Sequence, residues 1–133
     1  MIDITKLKTI SINDESQRTP LLCVTSSTVA FGKGVLDVLK KPAYARILID
    51  EASGIIVLFG AEEKEPGSFK FVKKESDRYV RLKSLHLHQL CDSLSGLSSA
   101  DYPYRVSGKN DVTSDGRPAV VFLMKEARKM AKK

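Results

Sequence analysis

From Ala43 to Phe59 the chain reads AYARILIDEASGIIVLF: two apolar runs flanking a four-residue turn sequence. In the first run Tyr44, Arg46 and Leu48 alternate with Ala45, Ile47 and Ile49, so both faces carry apolar groups, and the spacing predicts a largely buried strand. Glu51-Ala52-Ser53-Gly54 supplies the reversal, because Gly54 adopts a positive φ without a side-chain penalty. Ile55 to Phe59 then returns as the most hydrophobic strand of the chain. A β-hairpin is therefore the element around which the remainder has to be arranged.

Just upstream, Val35, Leu36, Val38 and Leu39 form one apolar stripe while Lys33, Asp37, Lys40 and Lys41 face away from it, which predicts a short amphipathic helix over 33–41. Pro42 ends that helix by restricting Lys41 and removing a donor. Leu21 to Thr28 is β-prone, and Val29 to Phe31 leads into the helix. Residues 1–12 alternate in the manner of an edge strand or paired short strands, with a loop from Asn13 to Pro20. After the hairpin, Gly60 to Ser68 is an acidic turn region, Phe69 to Val72 and Tyr79 to Leu82 read as strands, and Ser84 caps a second helix with a stripe of Leu87, Leu90, Cys91 and Leu94 that Gly96 terminates. Tyr104 to Val106 and Ala119 to Met124 read as strands joined by a long polar connection from Ser107 to Pro118. The last residues, KEARKMAKK, have the composition of a short basic helix.

Residues 22–60 and 79–124 share one order: extended lead-in, helix, strand, turn, strand. Neither is long enough to bury both its helix and its sheet alone. The expected fold class is α+β, with two β-α-β-β-like repeats packed as one compact domain over 1–124 around a mixed or mainly antiparallel sheet or small barrel, followed by a basic tail at 125–133.

A chain of 133 residues with 42% apolar and 29% charged residues has ordinary globular composition and needs only one core. Its longest apolar run, Gly54 to Ala61, is too short to span a bilayer, and the first ten residues lack the apolar core of a signal peptide, so the expectation is a cytoplasmic protein with no membrane partner. Cys23 and Cys91 lie far apart in sequence, without a CxxC spacing, and read as two reduced thiols. The formal net charge is +6, of which +4 falls in Lys125 to Lys133, leaving the body nearly balanced.

Chemistry-bearing residues are present without the spacing that catalysis or metal binding needs. Asp50, Asp101, His86, His88, Cys23 and Cys91 form no local acid-base or nucleophilic set, and His86 and His88 point apart on a helix. The 107–118 connection lacks the ligand spacing of a calcium loop, and Gly32-Lys33-Gly34 lacks a Walker pattern. No catalytic residue, metal ligand or cofactor is indicated. The cations are more suggestive: Lys33, Lys40, Lys41 and Arg46 in one group, Lys70, Lys73, Lys74, Arg78, Arg81 and Lys83 in another, and Arg128, Lys129, Lys132 and Lys133 in the tail. Phosphate contact with DNA or RNA is the expected role of such groups. The alternative is a homodimer or a protein partner, engaged through a free sheet edge or through Tyr102 and Tyr104.

Two family resemblances accompany these patterns. Pro42, Tyr44, Ile47 and Asp50 before the hairpin turn, and Tyr104, Arg105, Val106 and Gly108 after the second helix, are similar to motifs in a group of small uncharacterised proteins from phages and mobile elements of Gram-positive bacteria. That resemblance spans about residues 29–124 and implies no particular activity. More weakly, the order of the first half resembles the AbrB and MraZ swapped-hairpin DNA-binding proteins, which implies a small barrel whose basic strands and loops meet DNA. The helix start here, Val29-Ala30-Phe31-Gly32-Lys33, differs from that family's Gly-Arg-x-x-x-Pro lead.

Overall fold

In the computed structural model, residues 19–74 and 76–130 are described; the patterns noted at residues 1–18, and Lys132 and Lys133, lie outside them. The strands are β1 (Leu21–Val24), β2 (Val29–Phe31), β3 (Tyr44–Asp50), β4 (Ile55–Ala61), β5 (Phe69–Lys70), β6 (Val80–Leu82), β7 (Tyr104–Val112), β8 (Pro118–Leu123) and β9 (Arg128–Lys129). The helices are α1 (Lys33–Leu39) and α2 (Leu85–Ser95). The strands form one curled antiparallel sheet, half of a barrel, in the order β5-β3-β4-β8-β7-β1-β2-β6, with β9 also paired to β7.

This architecture corrects the expected fold class. Among the described residues strand accounts for 39% and helix for 19%, so the fold is mostly β rather than α+β. It is also not clearly two β-α-β-β repeats. Every strand pairing among the described residues is antiparallel, and the strands join one continuous sheet in which β7 spans nine residues and pairs with β1, β8 and β9. The polar stretch after Ser107 is not a loop but the second half of β7, and only Thr113–Arg117 turns the chain. Backbone pairing with apolar β8 holds those polar residues extended. The described part of the final segment is not a basic helix either: Met124–Glu126 makes a single 3-10 turn and β9 follows.

Local chemistry explains the elements that match expectation. The β3–β4 hairpin pairs Tyr44 with Ala61 through Asp50 with Ile55, and Gly54 turns at φ 69°. The Ser84 hydroxyl accepts from the Leu87 amide at the start of α2, and Gly96 closes that helix in the left-handed region at φ 73°. α1 stops at Lys40 and Lys41, both at positive φ, with the Lys41 amide donating to Leu36 O at 2.8 Å.

The core fills the inside of the curl. Phe31 stands with its ring centroid 5.8 Å from Phe71 and 5.9 Å from Phe122, and α1 and α2 add Val35, Leu36, Leu39, Leu87 and Cys91. Antiparallel partners share a face, so the register reads directly as rows of side chains. Val80, Phe31, Leu22 and Val106 form one inward row across β6, β2, β1 and β7, and Leu82, Val29, Val24 and Tyr104 form the next. All but Leu82 are fully or nearly fully buried.

β7 approaches its neighbours most closely at Gly108, whose amide donates to Pro20 O at 2.8 Å and which pairs with Phe122. A Cβ there would lie 2.8 Å from the Phe122 ring and closer still to a Val120 methyl, and both side chains are fully buried. Gly108→Ala is expected to lower stability by about 1–3 kcal/mol through overpacking. Urea unfolding followed by circular dichroism checks this; an unchanged midpoint would show that the β7–β8 packing yields.

Candidate nucleic-acid interface

Between the two buried rows the same register sets a third row on the outer face of the sheet. Arg81 on β6 pairs with Ala30 on β2, Ala30 with Cys23 on β1, Cys23 with Arg105 on β7, and Arg105 with Arg128 on β9. Three exposed arginines therefore stand in line, with only two small side chains between them. At about 4.8 Å per strand, Arg81 and Arg105 are roughly 14 Å apart at the backbone, and Arg128 is one strand further on. None of the three forms an ion pair with a carboxylate among the described residues.

The surroundings preserve that positive charge. Cys23 is half-buried, and burial raises its thiol pKa against the opposing pull of Arg105, so a neutral SH rather than a thiolate lies between the guanidinium groups. Arg81 packs 4.5 Å from the centroid of the Tyr79 ring, which is itself 52% exposed. Beside Arg105 and Arg128 a groove of about 500 Å³ is lined also by Ser107, Lys125, Glu126 and Ala127, giving three cations against one carboxylate. Arginine suits such a surface because its planar fork donates several hydrogen bonds to phosphate oxygens and cannot lose its charge.

Of the residues singled out from sequence, Arg81 and Arg128 fall in this row. Arg128 is fixed in β9 rather than on a loose tail, and the following Met130 amide donates to Pro103 O at 2.7 Å. Lys129 lies over the Tyr102 ring at 5.3 Å. Lys73 and Lys74 are exposed, their backbone amides held by the Asp77 carboxylate at 3.1 and 3.0 Å, and Arg78 is exposed nearby in sequence. Lys70 and Lys83 flank a different groove, at the open seam of the sheet. Lys33 pairs with Asp37 at 4.0 Å, and Lys40 and Lys41 form the end of α1. Arg105 was not among those candidates. The buried-exposed-buried alternation of Tyr104, Arg105 and Val106 marks it as outward-facing, but its alignment with Arg81 and Arg128 depends on long-range register.

Arg46 serves a different purpose. It reaches Glu65 at 3.5 Å, and Arg117 reaches the same carboxylate at 2.7 Å while also holding Asp115 at 2.8 Å. Both guanidinium groups lie over Phe59, at 5.6 and 5.5 Å. The acidic 62–65 loop is thereby pinned to the outer face of β3, β4 and the β7–β8 turn.

A second polar cluster contains serine, histidine and aspartate in proximity. The Tyr104 hydroxyl donates to Asp92 Oδ1 at 2.7 Å, the Ser99 hydroxyl donates to Asp92 Oδ2 at 2.9 Å, and His88 Nε2 lies 2.6 Å from Thr25 O and 3.0 Å from Ser99 Oγ. A carbonyl oxygen only accepts, so Nε2 carries the proton, and Ser99 spends its own proton on Asp92. That direction is opposite to the one an activated serine needs. Ser99 is 3% exposed and Tyr104 fully buried, so the cluster fastens α2 to β7 and to the β1–β2 turn. Burial also raises the Tyr104 hydroxyl, and it pushes the Cys91 thiol up to about 12, keeping both protonated. No group of three or more potential metal ligands occurs among the described residues.

Comparison of the chain with protein-family models, with curated proteins and with solved structures finds no match in any of the three.

The Glu65 cluster generates a pH dependence. The Glu62 amide, then Arg117 and Arg46, hold the Glu65 carboxyl below the ordinary 4.5. A depressed carboxyl contributes stability above its unfolded value, and that contribution is lost as pH falls through the folded value. Glu65→Gln is therefore expected to narrow the difference between urea midpoints measured at about pH 6 and about pH 3. An identical difference in the variant would remove Glu65 from the acid response.

Proposed function

We propose that this is a non-enzymatic nucleic-acid-binding protein that grips the phosphate backbone with the outer face of its sheet. The aligned row of Arg81, Arg105 and Arg128, without carboxylate partners among the described residues, carries this reading. Phosphate oxygens supply the missing acceptors, and neutralising them releases counterions. The exposed Tyr79 ring beside Arg81 adds a stacking surface of the kind used on unpaired bases. Both cysteines are free thiols, which fits a reducing compartment such as the cytoplasm. No helix among the described residues is long and apolar enough to cross a membrane.

The test is fluorescence anisotropy with labelled duplex DNA, single-stranded DNA and RNA over a salt series. Binding is expected to weaken as salt rises, and each of Arg81→Ala, Arg105→Ala and Arg128→Ala is expected to reduce the duplex salt slope by up to about 0.9. No binding to any of the three probes at about 50 mM salt, or slopes unchanged in all three variants, would overturn the reading.

A specific observation favours a second reading, self-association. On the outer face of the other half of the sheet, Leu48, Val57 and Val121 share one row, Ile55 and Leu123 share the next, and Leu48 is 48% exposed. Sedimentation velocity over a concentration series decides it. A dimer that Leu48→Glu abolishes supports this reading, and a monomer throughout removes it.

A further inference from the structure

The half-barrel leaves a seam between its two ends. Among the described residues β5 pairs with only Tyr44 and Ala45 of β3, Ile47 and Ile49 further along that strand line the gap, and β6 with the start of α2 forms the opposite wall. A groove of about 630 Å³ occupies the seam. Its apolar lining comes from Ile47 and Ile49 of β3, Phe69 of β5, Leu82 of β6, and Leu87 and Leu90 of α2. Five of these six are only partly buried, so the groove leaves apolar surface exposed to water.

The polar lining is one-sided. Lys70 on β5, Lys83 at the approach to α2 and His86 line the groove, and no carboxylate among the described residues does. Neither lysine forms an ion pair among the described residues. Lysine at the mouth of an apolar channel keeps its charge in water while its stem covers hydrocarbon. A cavity of this volume with an apolar lining and a few cationic groups is the form taken by sites for small amphipathic ligands.

The geometry points to a binding site for a small aliphatic carboxylate, with its hydrocarbon chain along Ile47, Ile49, Leu82 and Leu90 and its carboxylate between Lys70 and Lys83. Charge complementarity selects the anion, and the partly buried aliphatic walls select the chain. The site is separate from the arginine row: on β6, Leu82 lines the groove while Arg81 faces the other side of the sheet. It therefore stands whether or not nucleic acid binds.

Isothermal titration calorimetry with dodecanoate, dodecanol and dodecyltrimethylammonium, each below its micelle-forming concentration, tests the site on the full chain. Circular dichroism confirms that the fold persists at each endpoint. Dodecanoate is expected to bind saturably at one site, about tenfold or more tighter than dodecanol, with the cationic amphiphile weaker still. Lys70→Glu combined with Lys83→Glu is expected to remove most of the preference for dodecanoate over dodecanol while leaving dodecanol binding in place. Both lysines are exposed, so this variant is expected to fold. Absence of saturable dodecanoate binding, equal affinity for the cationic amphiphile, or a preference that survives the double substitution would overturn the assignment.

Discussion

The register of β1 against its two neighbours is the constraint from which most of the molecule follows. Leu22 and Val24 have to point inward because their partners, Phe31 and Val106 on one row and Val29 and Tyr104 on the other, are themselves all but completely buried in the core. In a pleated sheet this choice leaves no freedom for the residue between them. Cys23 must face out, and with it Ala30, Arg81, Arg105 and Arg128. The charged surface is thus a by-product of burial, held in place by the same contacts that hold the core. A one-residue slip would expose the apolar rows and bury the arginines together, so core stability and surface charge are enforced jointly.

Polar contacts then fix what apolar packing leaves loose. The Asp92 carboxylate gathers Tyr104 and Ser99, and His88 ties the same helix to Thr25. On the far side of the sheet Glu65 gathers Arg46 and Arg117 over Phe59. The Glu65 carboxylate and the His88–Thr25 contact each join segments far apart in the chain, which matters for a sheet whose two ends do not pair with each other among the described residues. Buried or half-buried polar groups of this kind carry large penalties when a partner is lost, so they discriminate among packings that hydrophobicity alone would tolerate.

Features set by neighbours in sequence were legible in the sequence. The β3–β4 hairpin, the Ser84 cap, the Gly96 stop and the end of α1 before Pro42 each depend on a few adjacent residues. Features set by distant pairing were not. Ser107 to Asp111 is polar enough to pass for a loop, yet it is strand because β8 and β1 supply its backbone partners. The basic composition after Met124 suggests a helix or tail, while β9 is held by main-chain bonds to β7 that composition does not record. The candidate interface divides in the same way. Arg81 and Arg128 stood out as cations, Arg46 stood out equally but is held by Glu65, and Arg105 joins the row only when five strands are aligned.

The 3-10 turn at Met124–Glu126 has a consequence of its own. From Gly108 back to Tyr104 is four residues along β7, whereas from their partners Phe122 to Lys129 is seven, so the turn inserts three extra residues into what is otherwise a single strand running beside β7. Three is odd, and an odd insertion exchanges inside for outside in everything that follows. Met124 fills the core at the break, and Arg128 emerges on the face where an uninterrupted strand would have put Lys125. The turn acts as a half-period phase shifter. A homologue lengthened or shortened there by a single residue would keep its core and its composition while turning β9's arginine to the opposite side of the sheet.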